Sequence, residues 1–486
     1  MTSTTDLAAG HSVSDARDAA FSQMVPGLTS PPSATAPARW SLTTRTGFRF
    51  AVVYCVLYVF STQMFGALLG NVWRLLPFQV TPPMFWPSMR KFQSYIAVNW
   101  LGFPEPLALN TGAGDKPIDY ALVVGLLVIA SVITAIWSAA DWRRRSYPRL
   151  QPWFLLFLRL SVATSLASYG WAKVFPLQMP FPPLSRLLEP YGHFSLMAVL
   201  WSQIGSSAAY EIFTGVAELA AAVLLVIPGV TPVGAVVSMA VTGEIFVLNM
   251  TYDVPVKLFS LHLLVMSTIL LLPYIRPLFT FVALKQAVDP PREGRLFANA
   301  ATHRVAIAVQ VVFAAWFLWS GYQNGKAGSA QLTVQKPPLY GIWNIDRMTI
   351  DGVERAPLLT DYDRWRRIVV QYPGSIQFQR MNDTWAGFSA TTNLAAKTIV
   401  LTTLVNQQAA MANPASAERQ EIGRFTLEQP APDKLILDGA VNGKSLRMET
   451  SHFNPGQFRL ASAKFKWIQD RPWNISNADY VSQLLR

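Results

Sequence analysis

Charge is scarce in this chain: only 14% of its 486 residues are Asp, Glu, Lys or Arg, while 51% are hydrophobic. Soluble domains usually carry nearer to a quarter charged residues, so an integral membrane protein is the leading class. Cysteine is almost missing. Cys55 is the single one and lies inside an apolar run, which excludes an intrachain disulfide and any CxxC redox motif. Histidine is also rare, at five residues. His193 and His262 are the two read as nearest the apolar core, and His193 falls in a loop. A bis-histidine haem is therefore not expected, nor is an iron–sulfur cluster or any metal site. No Gly-rich phosphate loop stands between a strand and a helix.

The formal net charge is +12. Such a balance suits nucleic acid or an anionic membrane. The arginines cluster beside apolar runs, which selects the lipid bilayer as partner and speaks against nucleic acid. Residues 1–46 are rich in Ser, Thr, Ala and Pro and read as a disordered tail. The first apolar run starts too late for a cleavable signal peptide and is expected to remain as an anchor.

A membrane-spanning helix needs about 20 apolar residues. Seven runs qualify: 48–70, 119–140, 152–175, 208–227, 230–250, 258–278 and 305–321. "DWRRRSYPR" (141–149) follows the second. Arg45 precedes the first and Arg49 lies at its start, and Lys285, Arg292, Arg295 and Arg304 lie between the sixth and seventh. With seven spans these basic groups share one side, which the positive-inside rule places in the cytoplasm. The expected location is a bacterial inner membrane, with the N-terminus cytoplasmic and the C-terminal region periplasmic. The opposing loops, 71–118 and 176–206, are aromatic and Pro-rich, and 181–194 reads as a short interfacial helix.

From about residue 337 the pattern alternates apolar and polar, as half-buried strands do. "SIQFQR", "KTIVLTTLV", "RFTLEQ", "KLILDG", "SLRMET" and "FRLASAKFKW" are examples, and Asn442-Gly443 is a hairpin turn signal. About eight strands suggest an all-β barrel or sandwich. Gly341-x-Trp343 resembles the opening strand of lipocalins, which implies a ligand-binding barrel. The alternative is a β-module that packs on the membrane domain or binds a partner. "DYDRWRR" (361–367) reads as a solvated strand edge. The expected organisation is a tail (1–46), two helices with an outside loop (47–149), a four-helix core (150–282), a basic loop with the last helix (283–325), and a periplasmic β-domain (326–486).

Ionisable groups inside spans are costly and suggest function. At ~1.5 Å of rise per residue, Arg159 and Glu218 fall near the midplane. Glu211, Glu244 and His262 fall in the outer half, and Lys173, Asp253 and Lys257 at the outer interface. Two sub-sites follow: an Arg159–Glu218 ion pair, and an outer cluster of Glu211, Glu244 and His262 as the catalytic candidates, rimmed by Lys173, Asp253 and Lys257. The first could equally be a structural pair, and Lys173 could snorkel to headgroups. Glu211, Gly215 and Glu218 share one helical face, and Gly215 admits a neighbouring helix.

"LRLSVATSLASYGWAKVF" (158–175) resembles the first core helix of DoxX-type membrane proteins, with Arg159 and a Gly-x-x-Lys ending at Gly170 and Lys173. "EIFTGVAELAAAVLLVIPGVTPVGAVVSMAV" (211–241) resembles their next two helices, and 249–272 the fourth. The tail "SAKFKWIQDRPWN" (462–474) resembles the ending of multidomain DoxX-like proteins. The resemblance covers about residues 150–280. It implies a quinone-linked oxidoreductase component, with a quinone as the cofactor and a redox or soluble protein as partner. The two helices before the core, the one after it and the β-domain depart from the family pattern. A non-catalytic scaffold that recruits an enzyme and a small-molecule transporter remain open as alternatives.

Overall fold

The computed structural model describes residues 40–69, 87–105, 107, 111–289, 294–334, 336–405, 418–463, 465 and 467–468. Residues 1–39, Arg292 and the end of the 462–474 tail lie outside the described residues.

Local chemistry starts the helices where the pattern changes. Ser41 accepts from the Thr44 amide at 3.1 Å and opens α1, Leu42–Ser61. That start lies inside the segment expected to be a tail. The first span is not one straight rod. It breaks at Thr62 and turns by 82° into α2, Gln63–Leu69. The loop between the first and second spans then holds a short helix, α3 (Pro87–Asn99), which sequence patterning missed. Phe92 and Ile96 of α3 fill the space over Gly125 of α4. Pro117 and the Asp119 carboxylate, which accepts from the Lys116 amide at 3.0 Å, begin α4 (Pro117–Ala140).

The core follows as α5 (Leu150–Val174), α6 (Leu184–Leu188), α7 (Leu196–Gly205), α8 (Ala208–Val226), α9 (Thr231–Thr251) and α10 (Lys257–Val282). The α8–α9 hairpin closes through Gly229 at φ +85°, a conformation that favours glycine. The last span, α11, runs over Ala300–Val334, longer than expected at both ends. Among the described residues, six helices are long and apolar enough to cross a membrane, or seven with the bent α1–α2 pair.

The C-terminal domain is an antiparallel barrel. Its order is β2-β1-β3-β4-β5-β6-β7-β8-β9, and β1 also pairs with β9, so the sheet closes on itself. The strands are β1 Gly341–Ile350, β2 Val353–Glu354, β3 Trp365–Val370, β4 Ser375–Arg380, β5 Trp385–Asn393, β6 Thr398–Leu404, β7 Arg419–Ala431, β8 Lys434–Val441 and β9 Lys444–Phe453. β2 is only a two-residue hairpin arm, so eight strands form the wall. Closure removes the edges along which open sheets associate. Asn442 and Gly443 both have positive φ, as their turn requires.

Two details correct the strand reading. "DYDRWRR" is no solvated edge: β3 lies between β1 and β4, and Arg364 is 2% exposed. Its guanidinium donates to the carbonyls of Ile345, Arg355 and Trp365, so the charge is buried on backbone dipoles. The described residues of "FRLASAKFKW" form no strand; its first part is a single helical turn, α12 (Arg459–Ser462). The barrel interior is packed with Trp343, Met348, Trp365, Phe378, Phe425, Met448 and other apolar side chains.

The barrel touches the membrane helices through α6. Leu184 packs with Ile342 and Val369, and its amide donates to Gln371 Oε1 at 2.6 Å.

Candidate functional site

The site grows from a close helix crossing. α5 and α8 run antiparallel and meet at two glycines. A Cβ on Gly215 would stand 2.7 Å from the Gly170 carbonyl oxygen and 2.8 Å from Lys173 Cβ. The small residue thus admits its neighbour, as expected of Gly215. This approach brings Lys173 against Glu218. Their side chains form an ion pair and are 8% and 2% exposed. Lys173 therefore does not snorkel to headgroups.

The expected Arg159–Glu218 pair does not form. Arg159 donates to the carbonyls of Leu225 and Val226, at 2.7 and 3.2 Å, where α8 ends. The reason lies in side-chain direction. Cα–Cβ bonds tilt toward a helix's N-terminus. Both long side chains on α5 therefore reach back along it, Arg159 to the end of α8 and Lys173 into the bundle. Counting helical rise at Cα placed both too far toward the C-terminal end.

The expected outer cluster also separates. Glu211 is fully buried and accepts from the Met179 amide at 2.9 Å, which pins the loop after α5. His262 faces α1 instead. Its ring stacks on Tyr58 at 3.7 Å between centroids, and Nε2 lies 2.7 Å from the Tyr54 hydroxyl. Nδ1 is 2.6 Å from the Leu258 carbonyl, which can only accept. Nδ1 is thus assigned the proton and Nε2 accepts from Tyr54. With both nitrogens engaged, His262 is a wedge between α1 and α10. Asp253 and Lys257 pair with each other at 2.7 Å. Asp115, which sequence reasoning passed over, accepts from the Lys257 and Leu258 amides at 2.7 and 3.0 Å and caps α10 from another segment. Arg49, read only as an orientation signal, is 1% exposed and donates to the Tyr147 hydroxyl at 2.6 Å and the Asp141 carbonyl at 2.8 Å.

Glu244 stays with the Lys173–Glu218 pair. All three line one cavity of about 140 Å³, walled by Tyr169, Trp201 and Phe259 among others. Glu244 is exposed on the surface of the helix bundle, whereas the second oxygen of Glu218 is buried with no partner. Phe213, 67% exposed on α8, stands on the same wall. The roof is formed by Gln178 and Met179, in the loop that leads to α6 and the barrel. Chemically, the cavity offers an ammonium–carboxylate pair at its inner side, an acid at the bundle surface, and aromatic walls between them.

These features define a multi-pass membrane protein with a C-terminal eight-stranded β-barrel domain. Over 113 residues the chain is 36% identical to the "Uncharacterized protein YwoB" of Bacillus subtilis (strain 168), a stretch that covers 23% of this chain and 71% of that protein. It belongs, over that stretch, to the same family as YwoB. No family model and no solved structure matches the chain.

Proposed function

We propose that this protein is a DoxX-type component of a quinone-linked oxidoreductase in a bacterial inner membrane, with the 140 Å³ cavity as its quinone head-group site. One observation carries the reading: a buried Lys–Glu pair and an exposed glutamate share an aromatic-walled cavity at the surface of the bundle. The residues fit such a group. A cavity of roughly 150 Å³ takes up a benzene-sized ring. Lys173 and Asn249 line the space as hydrogen-bond donors for carbonyl oxygens. A bound quinone would supply a two-electron, two-proton couple. Glu244 would exchange protons at the exposed mouth, and Glu218 would hold the Lys173 ammonium in place.

The barrel's packed core favours partner recruitment over ligand storage. Its contact with α6 puts it at the cavity end of the bundle, where a redox or soluble partner would dock. The positive-inside rule supports a cytoplasmic N-terminus and a periplasmic barrel.

The test is identification of small molecules retained by the gently solubilised protein. Co-purifying quinone, lost in Glu244→Gln, is the expected result. Absence of quinone together with a stably bound soluble partner and no redox change would move the assignment to the scaffold. A tag after Arg486 should be reachable only from the periplasm; labelling from the cytoplasm would reverse the orientation.

A further inference from the structure

The barrel has two ends, and its topology fixes which one faces the membrane helices. Only residues 335–340 separate α11 from β1, a reach of at most about 25 Å. Gly341, which opens β1, pairs with Val370, the last residue of β3, and Ile342 pairs with Phe453, the last of β9. Leu184 of α6 packs on Ile342 and Val369 at this same end. Antiparallel register then carries the β3–β4 tip (371–374) and the β5–β6 tip (394–397) to the membrane side. The β4–β5 tip, Asn442-Gly443 and the long β2–β3 segment lie at the far end, about 30 Å away along the ten residues of β1.

Large apolar groups stand in the open on the membrane side. Tyr372 and Leu394 are exposed at the two tips. The segment that leaves β9 first packs Phe458 on Phe453, within the α6 contact, and then presents Phe465, Trp467 and Ile468. Trp467 is 91% exposed, and its ring meets Phe465 edge to face at 5.0 Å between centroids. Lysines accompany these groups. Lys397 is exposed in the Leu394 tip, and the Lys336 ammonium lies 4.9 Å from the Tyr340 ring centroid, just before β1. Tyr and Trp offer an apolar ring with a polar edge, which suits the headgroup layer, and lysines beside them reach the phosphates. A soluble protein would have to slip between barrel and bilayer to cover these tips, whereas lipid is already there.

We propose that this end of the barrel is a lipid-binding surface, with the Tyr372 and Leu394 tips and the Phe465–Trp467 pair seated in the headgroup layer of the bilayer that the helices span. The barrel is then held to the membrane independently of its contact with α6. Its far end points to water, although Leu358, Leu359 and Tyr362 are exposed there in the β2–β3 segment. Apolar exposure by itself therefore does not mark the lipid side; position on the barrel does.

Cys55 is buried and is the single cysteine of the chain, so one cysteine introduced into the full-length protein takes a fluorophore alone. Tyr372→Cys, Leu394→Cys and Trp467→Cys probe the membrane side, and Leu358→Cys is the far-end control. All four replace exposed side chains, and melting curves that match the parent confirm intact folds. Each variant is labelled with the dye NBD and reconstituted into phosphatidylcholine–phosphatidylglycerol vesicles, with and without lipid that carries a nitroxide on its headgroup. Emission at the three membrane-side positions should fall when the nitroxide lipid is present. Emission at the control should hold, because the length of the strands keeps it away from the headgroups. Unless both hairpin tips lose more emission than the Leu358→Cys control, the proposal is overturned.

Discussion

Lys173→Met should damage this protein severely, and adding Glu218→Met should largely repair it. The two side chains are 8% and 2% exposed, so neither has water to fall back on. Removing one partner of a buried pair costs about 3–5 kcal/mol, because the other charge is left uncompensated. The alternative, taking up a proton at pH 7, caps the cost of a lone carboxylate at about 4 kcal/mol. Restoring an ordinary lysine to neutrality costs about 5 kcal/mol, so Glu218→Met should be the worse single change. Replacing both charges by methionines of similar volume removes the desolvation term together with the attraction and should come out near neutral. The measurement is an apparent melting temperature of the detergent-solubilised protein by size-exclusion fluorescence. At about 2–4 °C per kcal/mol, each single variant should melt roughly 8–16 °C lower. The double variant should return to within a few degrees of the parent. Single variants that melt with the parent, or a double variant as low as the sum of the two, would refute the argument that burial makes this pair mutually dependent.

Gly215→Val should destabilise the bundle by about 1–3 kcal/mol through overpacking against the Gly170 carbonyl. Gly47→Ala, whose Cβ would meet nothing within 4 Å, should be neutral or gain up to ~1 kcal/mol; thermal melts compare the two. Gly341→Ala should weaken the barrel by about 1–3 kcal/mol, because φ is +144° and the new Cβ would lie 2.5 Å from the His452 ring; hydrogen exchange in β1 and β9 reports it. The Arg355 guanidinium, bonded to Asp361, holds that carboxyl below the ordinary carboxylate range. Its stabilising contribution is present above the unfolded value near 3.9 and is lost as pH falls through the lower folded value. Asp361→Asn should lower barrel stability at neutral pH and flatten its acid dependence, read by hydrogen exchange across pH 2–7.

Sequence patterning reached the elements whose causes are local. Apolar runs located the long helices, and period-two alternation located β4, β6, β7, β8 and β9. The Asn442-Gly443 turn follows from backbone sterics alone. The 82° break after α1 left no comparable signal, because Ser61-Thr62-Gln63 sits inside an otherwise apolar run. α3 escaped because its 13 residues are too short and too polar to read as a span.

For the site, the sequence by itself determined which residues carry charge in the membrane. Scarcity of charge made Arg159, Lys173, Glu211, Glu218, Glu244 and His262 conspicuous wherever they pointed. Their partners were decided only by tertiary structure. Rise per residue fixes the height of a Cα, but a lysine or arginine ends several ångströms away in a direction set by Cβ tilt and by the neighbouring helix. That displacement exchanged the partner of Glu218 from Arg159 to Lys173, and helix rotation turned His262 away from Glu244 toward Tyr54 and Tyr58. Depth is a one-dimensional property and can be counted along a chain. Contact also needs azimuth and register between helices, and these exist only once the bundle has packed.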